Sequence, residues 1–400
     1  MYSCNKVPTF GAKNILSATM NLNFIFSFYW RLCCFALLVS FSMPLVAQTT
    51  KLPTVISQLL AEHLDEENDY GSLSIGMFFE GQPQYYFYGT IDSDSARIAP
   101  NEHTLYRIGS ISKVITNVLY HALVNNKTVS PQQSIGSLLP DTLTQQNPIL
   151  NTITLHQLAT HTAGFPNKPF NIVQTIIDKD NPYANYSLED IYQYLSSFHP
   201  LIVDNKPTPP NFQYSHFGIG LLAHLLETAT QQSYTQLLEQ YISRPLQCHD
   251  ICLLPNDEQQ TRTVEGHNFA GRPTETIDFL SLYGSEGLWA SLDDMMKLVY
   301  ANIEGSIDYL RATQEAYYPT QMKHVKTCAG WYAIDRNKNV PTIYTHSGRI
   351  GGYSNYIGFI PEWNMGVIIM SNTTQRVDNI GIELLSNLVL KHRWQVKKSK

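Results

Sequence analysis

The sequence predicts an α/β fold of the α+β kind: one antiparallel sheet assembled from both chain ends and flanked by helices, with a mainly helical insert. Strand-like alternation appears early, at 72–92, and returns late, from 330 to 372. The intervening stretch, 127–280, mixes short helical patterns with polar, proline-bearing loops. One domain over 48–400 follows, its sheet-bearing part at about 52–126 and 281–391 and its helical part at about 127–280. A chain of 400 residues, 43% hydrophobic and 15% charged, buries enough apolar surface to exclude disorder and a disulfide-stapled miniprotein.

The first 47 residues differ from the rest. They contain no Asp or Glu, and Lys6, Lys13 and Arg31 precede the apolar run "LCCFALLVSFSMPLVA", which ends in the small residue Ala47. This reads as a secretory signal peptide, 1–47, and implies an exported protein, periplasmic or secreted. Starting instead at Met20 gives a signal of more usual length. An N-terminal membrane anchor is the alternative, but a run of about 16 residues falls short of the roughly 20 needed to span a bilayer. Cys33 and Cys34 stand at the front of the run rather than behind it, which argues against lipid attachment.

Beyond that segment, "LPTVISQLLAEHLDE" (52–66) carries apolar residues at helical spacing, with Pro53 near its start. "SLSIGMFFEG" and "QPQYYFYGTID" read as a hairpin turning at Gly81-Gln82-Pro83. From Ser110 to Val124, Ile111, Val114, Ile115, Val118, Leu119, Ala122 and Leu123 recur at i, i+3, i+4, i+7, i+8, the strongest helical pattern in the chain. The helical part includes "GIGLLAHLLETA" and "YTQLLEQYI" with loops such as "DNKPTPPN". Three or four strands return in "GWYAID", "TIYTHSG", "SNYIGFIP" and "MGVIIMSN", before the helical "DNIGIELLSNLVLKH". The tail "VKKSK" reads as frayed and solvated, a weak membrane-surface contact being the alternative.

The formal charge of −6 is spread without long runs of either sign, which argues against nucleic acid as a partner. Without the first 47 residues, 24 basic residues stand against 33 acidic, a net charge of about −9. Cys248, Cys252 and Cys328 are too few for a disulfide framework. "CHDIC" (248–252) lacks a second ligand cluster of matching spacing, so partly buried thiols are expected there rather than half a zinc site. No His-Glu-His cluster, phosphate loop or dinucleotide fingerprint appears, and no metal, nucleotide or other cofactor is implied.

A serine hydroxyl attacks poorly until a base within hydrogen-bond reach takes its proton, and a neutral lysine can serve. Ser110 and Lys113, three apart on a helix, project from one face beside the apolar stripe. Burial there would lower the lysine pKa. A serine at a helix start is also an ordinary N-cap, and Ser3 and Lys6 repeat the spacing inside the signal segment, so the pair alone leaves both readings open. Two further elements follow: "YSH" (214–216) before a helix, and "HSG" (346–348) at the end of a strand.

With these the chain resembles the serine penicillin-recognising hydrolases, in particular the class C β-lactamase-like branch. There the elements are Ser-x-x-Lys, Tyr-x-Asn, and Lys-Thr-Gly or His-x-Gly. Here they are Ser110-Ile-Ser-Lys113, Tyr214-Ser-His216 and His346-Ser347-Gly348, while "ITLHQLATHTAGFP" (153–166) and "GSEGLWASLDDMMKL" (284–298) resemble stretches typical of that branch. The resemblance covers about 52–390. It implies the β-lactamase/transpeptidase-like fold, Ser110 as nucleophile, Lys113 as its proton acceptor and Tyr214 as a phenol sharing proton traffic to the leaving group. Tyr214, near a pKa of about 10, would need nearby cations to act as a base. The resemblance further implies an oxyanion hole from the N–H groups of Ser110 and Arg349.

Two positions depart from the family. His346 stands where many β-lactamases carry lysine and is mostly neutral at pH 7, so a fixed charge for the substrate carboxylate is missing unless Arg349 supplies it. A neutral His346 can still donate, and Ser347 keeps a hydroxyl. His216 replaces an amide that would position substrate. His161 is expected to be a structural hydrogen-bonding residue, and His121 and His224 packed or surface residues of helices. Glu286 and Trp289 are placed at the cleft rim, without a catalytic role. The expectation is an exported serine hydrolase acting on amides or esters, with D-alanyl peptides ahead of β-lactams and small esters. A true β-lactamase or a carboxylesterase is the alternative in chemistry. A catalytically idle, cell-wall-binding or scaffold homologue is the alternative in class.

Overall fold

Strands from the two ends of the chain pair with each other because each alone leaves an apolar face and an open edge uncovered. The computed structural model describes residues 52–398 except 64–70, 81, 94–95, 201, 204–205, 208–211 and 336–338. The segment read as a signal peptide lies outside the described residues. Among the described residues no helix is long and apolar enough to cross a membrane.

Eight strands make one sheet: β1 (Ser72–Phe79), β2 (Gln82–Gly89), β3 (Ala316–Pro319), β4 (Val325–Cys328), β5 (Tyr332–Ile334), β6 (Ile343–Ile350), β7 (Tyr353–Ile360) and β8 (Met365–Ser371). Their order is β2-β1-β8-β7-β6-β5-β4-β3, with antiparallel pairing throughout. The seam between the chain ends is β1 against β8, from Leu73 opposite Ser371 to Phe79 opposite Met365. Strands β1, β7 and β8 are buried along their whole length, as strands covered on both faces must be. Side chains alternate between the faces. One face packs Ile75, Met77, Val367 and Ile369 under α1 (Leu52–His63) and the C-terminal helix Asp378–Lys398. The other packs Phe78, Ile357, Ile368 and Met370 into the larger core shared with the remaining helices. Each such aliphatic side chain taken from water contributes about 1.5–3 kcal/mol.

The helical pattern at 110–124 becomes a 3₁₀ turn, Gly109–Ile111, running into α2 (Ser112–Asn125). The helical part contributes α3 (His216–Thr230), capped by Ser215, and short helices that start at capping boxes such as Thr154/Gln157, Ser187/Asp190 and Ser233/Gln236. A separate ribbon pairs Leu105–Arg107 with Trp289–Ser291, tying the approach to α2 to the chain just after Glu286.

Several expectations are corrected. Gln82 and Pro83 are not turn residues but begin β2, where the edge of the sheet tolerates a proline. Two strands, β3 and β4, were not expected: "AYYP" and "VKTC" are too short to show a period. The motif "HSG" lies inside β6, which continues to Ile350, rather than ending it. The C-terminal helix runs to Lys398, so the tail through that residue is helical rather than frayed, with Lys398 Nζ 3.7 Å from the centre of the Trp394 ring. Cys248 and Cys328 are buried and Cys252 half-buried, all as free thiols.

His121, in the core-facing part of α2, is buried with Nε2 unbonded, and burial depresses its pKa to about 4. The unfolded chain therefore takes up this proton near pH 6.5 while the folded chain does not until about pH 4, so stability falls as pH drops through that window. The slope from one such group is about 1.4 kcal/mol per pH unit. His121→Gln is expected to flatten the fall in urea midpoint between pH 6.5 and 4, which unfolding curves on both proteins would measure.

Candidate active site

The turn that carries Ser110 is held by contacts that only glycine allows. Gly109 adopts φ +52°, and a Cβ there would lie 2.9 Å from the Arg349 nitrogen and 3.0 Å from its carbonyl carbon and oxygen. Gly348 is tighter still, because a Cβ would fall 1.9 Å from the Ile108 carbonyl oxygen. Strand β6 thus presses its backbone onto the turn that carries Ser110, and Asn355 of β7 locks the junction by donating to the Arg107 carbonyl at 2.9 Å. The glycine of "HSG" is a packing requirement of this crossing.

Ser110 belongs to the 3₁₀ turn and makes no capping bond, so the N-cap reading does not describe it. Its hydroxyl receives a hydrogen bond from Lys113 Nζ at 3.2 Å and donates to Glu286 Oε1 at 2.8 Å. Lys113 has no exposed surface. Its Nζ also donates to the Ser285 carbonyl at 2.8 Å and lies 3.1 Å from His216 Nδ1. Burial brings its pKa down to about 8, against the opposing pull of Glu286. Ser112 instead bonds the Leu288 amide through its hydroxyl at 3.2 Å, away from Lys113.

Tyr214 covers the amine, its ring centre 5.1 Å from Nζ. The neighbouring backbone is fastened: the Ser215 amide donates to His161 Nδ1 at 3.1 Å and the Ser215 hydroxyl to the Pro166 carbonyl at 2.7 Å. His161 is thereby the structural residue its sequence setting suggested, with Tyr214 and Phe212 against its ring. The cations that Tyr214 would need in order to act as a base meet an opposing force. Burial drives its pKa well above 10, the Ser110 hydroxyl offsetting this only in part, so the phenol is a proton donor at neutral pH.

The two histidines that break the family pattern are both drawn away from the charged form. His216 opens α3, and its Nδ1 faces Lys113 Nζ at 3.1 Å and Glu286 Oε1 at 2.9 Å. That single nitrogen can accept from the amine or donate to the carboxylate, never both at once. Burial first, then Lys113, lowers its pKa. His346, 4% exposed, stacks on Tyr332 with ring centres 5.5 Å apart, and burial takes its pKa to about 3. Its Nδ1 donates to the Ser347 carbonyl at 2.7 Å, so the neutral ring presents Nε2 as an acceptor rather than the donor expected of it. Ser347 takes part through that carbonyl, and the exposed Arg349 through the backbone that meets Gly109.

Glu286 is the residue that sequence reasoning misplaced. It is buried at the centre of the cluster, not at a rim, and stays ionised with a pKa of about 2 because Lys113, His216 and Ser110 together outweigh its desolvation. Its signal in the sequence was slight: a lone acid between small residues in "GSEGL". Trp289 is buried, with the Arg107 guanidinium 5.3 Å from its ring centre and Tyr353 on its edge. No group of three or more His, Cys, Asp or Glu able to hold a metal occurs among the described residues.

A buried Ser-Lys pair on this sheet-and-helix frame defines a serine hydrolase of the β-lactamase/transpeptidase-like fold. The chain belongs to the beta-lactamase family, whose model matches residues 58–388. Among its relatives, a beta-lactamase of Pseudomonas fluorescens is 24% identical over 78% of this chain and 91% of the relative. A D-alanyl-D-alanine-carboxypeptidase/endopeptidase, AmpH of Escherichia coli K12, is 26% identical over 68% of this chain and 72% of its own. The crystal structure of the D-alanine carboxypeptidase AmpC from Burkholderia cenocepacia superposes with a TM-score of 0.69, at 20% identity, covering 84% of this chain and 99% of that one.

Gly109→Ala tests the junction. A β-carbon in the left-handed region against Arg349 is expected to cost about 1–3 kcal/mol, read as a lower urea midpoint with unchanged slope.

Proposed function

We propose that the protein is an exported serine hydrolase that forms an acyl-enzyme on Ser110 and releases it to water, with D-alanyl peptides as the foremost substrate class. The observation that carries this reading is the fully buried Lys113 amine, 3.2 Å from the Ser110 hydroxyl, with a pKa of about 8. An ammonium that loses its proton so readily supplies a neutral base near physiological pH. Export rests on the acid-free, apolar first 47 residues.

In the proposed reaction neutral Lys113 takes the Ser110 proton as Oγ attacks the substrate carbonyl carbon. The carbonyl oxygen, now an oxyanion, sits against the N–H groups of Ser110 and Arg349, where backbone donors stabilise it. Collapse breaks the bond to the leaving amine, which takes a proton from the Tyr214 phenol, replenished from Lys113. Water then attacks the ester carbonyl as neutral Lys113 takes its proton, and the Lys113 ammonium gives that proton to the departing Ser110 oxygen. Position 346 offers no fixed charge, which lowers the expectation of efficient β-lactam hydrolysis. Arg349, exposed three residues further along β6, is the cation of that strand available to a substrate carboxylate.

Incubation with a fluorescent penicillin, a D-alanyl-D-alanine peptide and an activated ester, followed by intact mass and turnover, tests this. A penicillin adduct and D-alanine release, both lost in Ser110→Ala, are expected. Rapid β-lactam turnover would replace the peptidase reading with a β-lactamase, and ester turnover alone with an esterase. No adduct and no turnover with any of the three would leave a binding or scaffold protein. In the active enzyme kcat/KM is expected to rise about tenfold per pH unit on the acid side and level off near pH 8, as Lys113 loses its proton. Lys113→Met should lower it by at least about a hundredfold.

A further inference from the structure

Five titratable groups face the Lys113 amine from the elements around it: Glu286 from the turn before the ribbon, Tyr214 and His216 at the start of α3, His346 on β6, and His161 behind Tyr214. The three imidazoles are held neutral by burial and the phenol is held protonated. Among the described residues facing the amine, Glu286 alone therefore brings charge at neutral pH. Its Oε1 is 3.9 Å from Nζ, 2.9 Å from His216 Nδ1 and 2.8 Å from Ser110 Oγ.

This geometry describes a resting site rather than a reacting one. The Ser110 hydroxyl donates to Glu286 while Lys113 donates to Ser110 and to the Ser285 carbonyl, so no lone pair of the amine is turned toward the serine proton. With His216 Nδ1 at 3.1 Å as a third neighbour and the Glu286 carboxylate at 3.9 Å, the surroundings suit an ammonium. We propose that Glu286 is a positioning residue that holds Lys113 as an ammonium in the resting site, so that this one carboxylate sets the pH above which Ser110 becomes a nucleophile. The proposal rests on the reading of Lys113 as the proton acceptor of Ser110. Glu286 does not take the serine proton, since a carboxylate this strongly held in its ionised form is a poor base. Neutralising it would leave the buried amine with nothing to stabilise its charge, and the amine would shed its proton at lower pH.

The test follows the rate at which a fluorophosphonate labels Ser110, by intact mass, from pH 5 to 9, in the wild type and in Glu286→Gln. The amide can still accept from Ser110, so a role in packing alone predicts no change in the pH at which labelling rises. The expected result is an acid limb moved down by about one pH unit or more in the variant, with labelling at pH 6 faster by about tenfold and rates converging above pH 8. An unmoved limb, or labelling lost at every pH in a folded variant, overturns the proposal while leaving the nucleophile assigned. Absence of labelling in the wild type at pH 9 overturns the reading of Ser110 itself, and the proposal with it. Thermal unfolding verifies the fold. If the glutamine variant does not fold, Glu286→Asp, which withdraws the charge by one methylene, is read in the same way: a lowered limb supports the proposal and an unmoved one overturns it.

Discussion

The burial of one lysine amine organises this molecule. Removing an ammonium from water costs several kcal/mol unless polar groups replace its hydration, and Lys113 is surrounded by such replacements. Each comes from a different part of the chain: a hydroxyl three residues back, a carbonyl and a carboxylate from the turn at 285–286, an imidazole from the start of α3. The ribbon of Leu105–Arg107 with Trp289–Ser291 and the glycine contacts between β6 and the 3₁₀ turn exist in the same small volume, and they hold those groups in register. The fold supplies a compartment in which that amine is closed off from water.

That compartment also governs the histidines. In water an imidazole near pKa 6.5 is a switch in the physiological range. Here desolvation and the neighbouring amine push His161, His216 and His346 the same way, so they act as fixed neutral dipoles. His346 therefore places no charge at that point of β6 at neutral pH.

Much of this was legible from local pattern. The α2 stripe, the late strands and the spacing of Ser110 and Lys113 are short-range features with a period of their own, and their placement in the fold follows. Gln82 and Pro83 were misread because turn chemistry and an edge strand use the same residues. Strands β3 and β4 were missed because four residues each are too few to show a period. Glu286 escaped for a deeper reason: its importance lies in contacts 176 residues away in the chain, and nothing in "GSEGL" distinguishes a buried partner from a solvated acid. The shift of Tyr214 was likewise invisible, since desolvation depends on what covers a ring and not on its sequence neighbours.

The seam between β1 and β8 has a cost in time. The amide of Ser72 finds its partner in the side chain of Asn372, 300 residues further along. At synthesis rates of about 5–20 residues per second, that partner emerges from the ribosome roughly 15–60 s after β1 does. Throughout the interval the hairpin of β1 and β2 carries an open edge next to Ile75, Met77 and Phe78, the kind of edge that recruits other chains. The strand that closes this edge is the last one the chain makes.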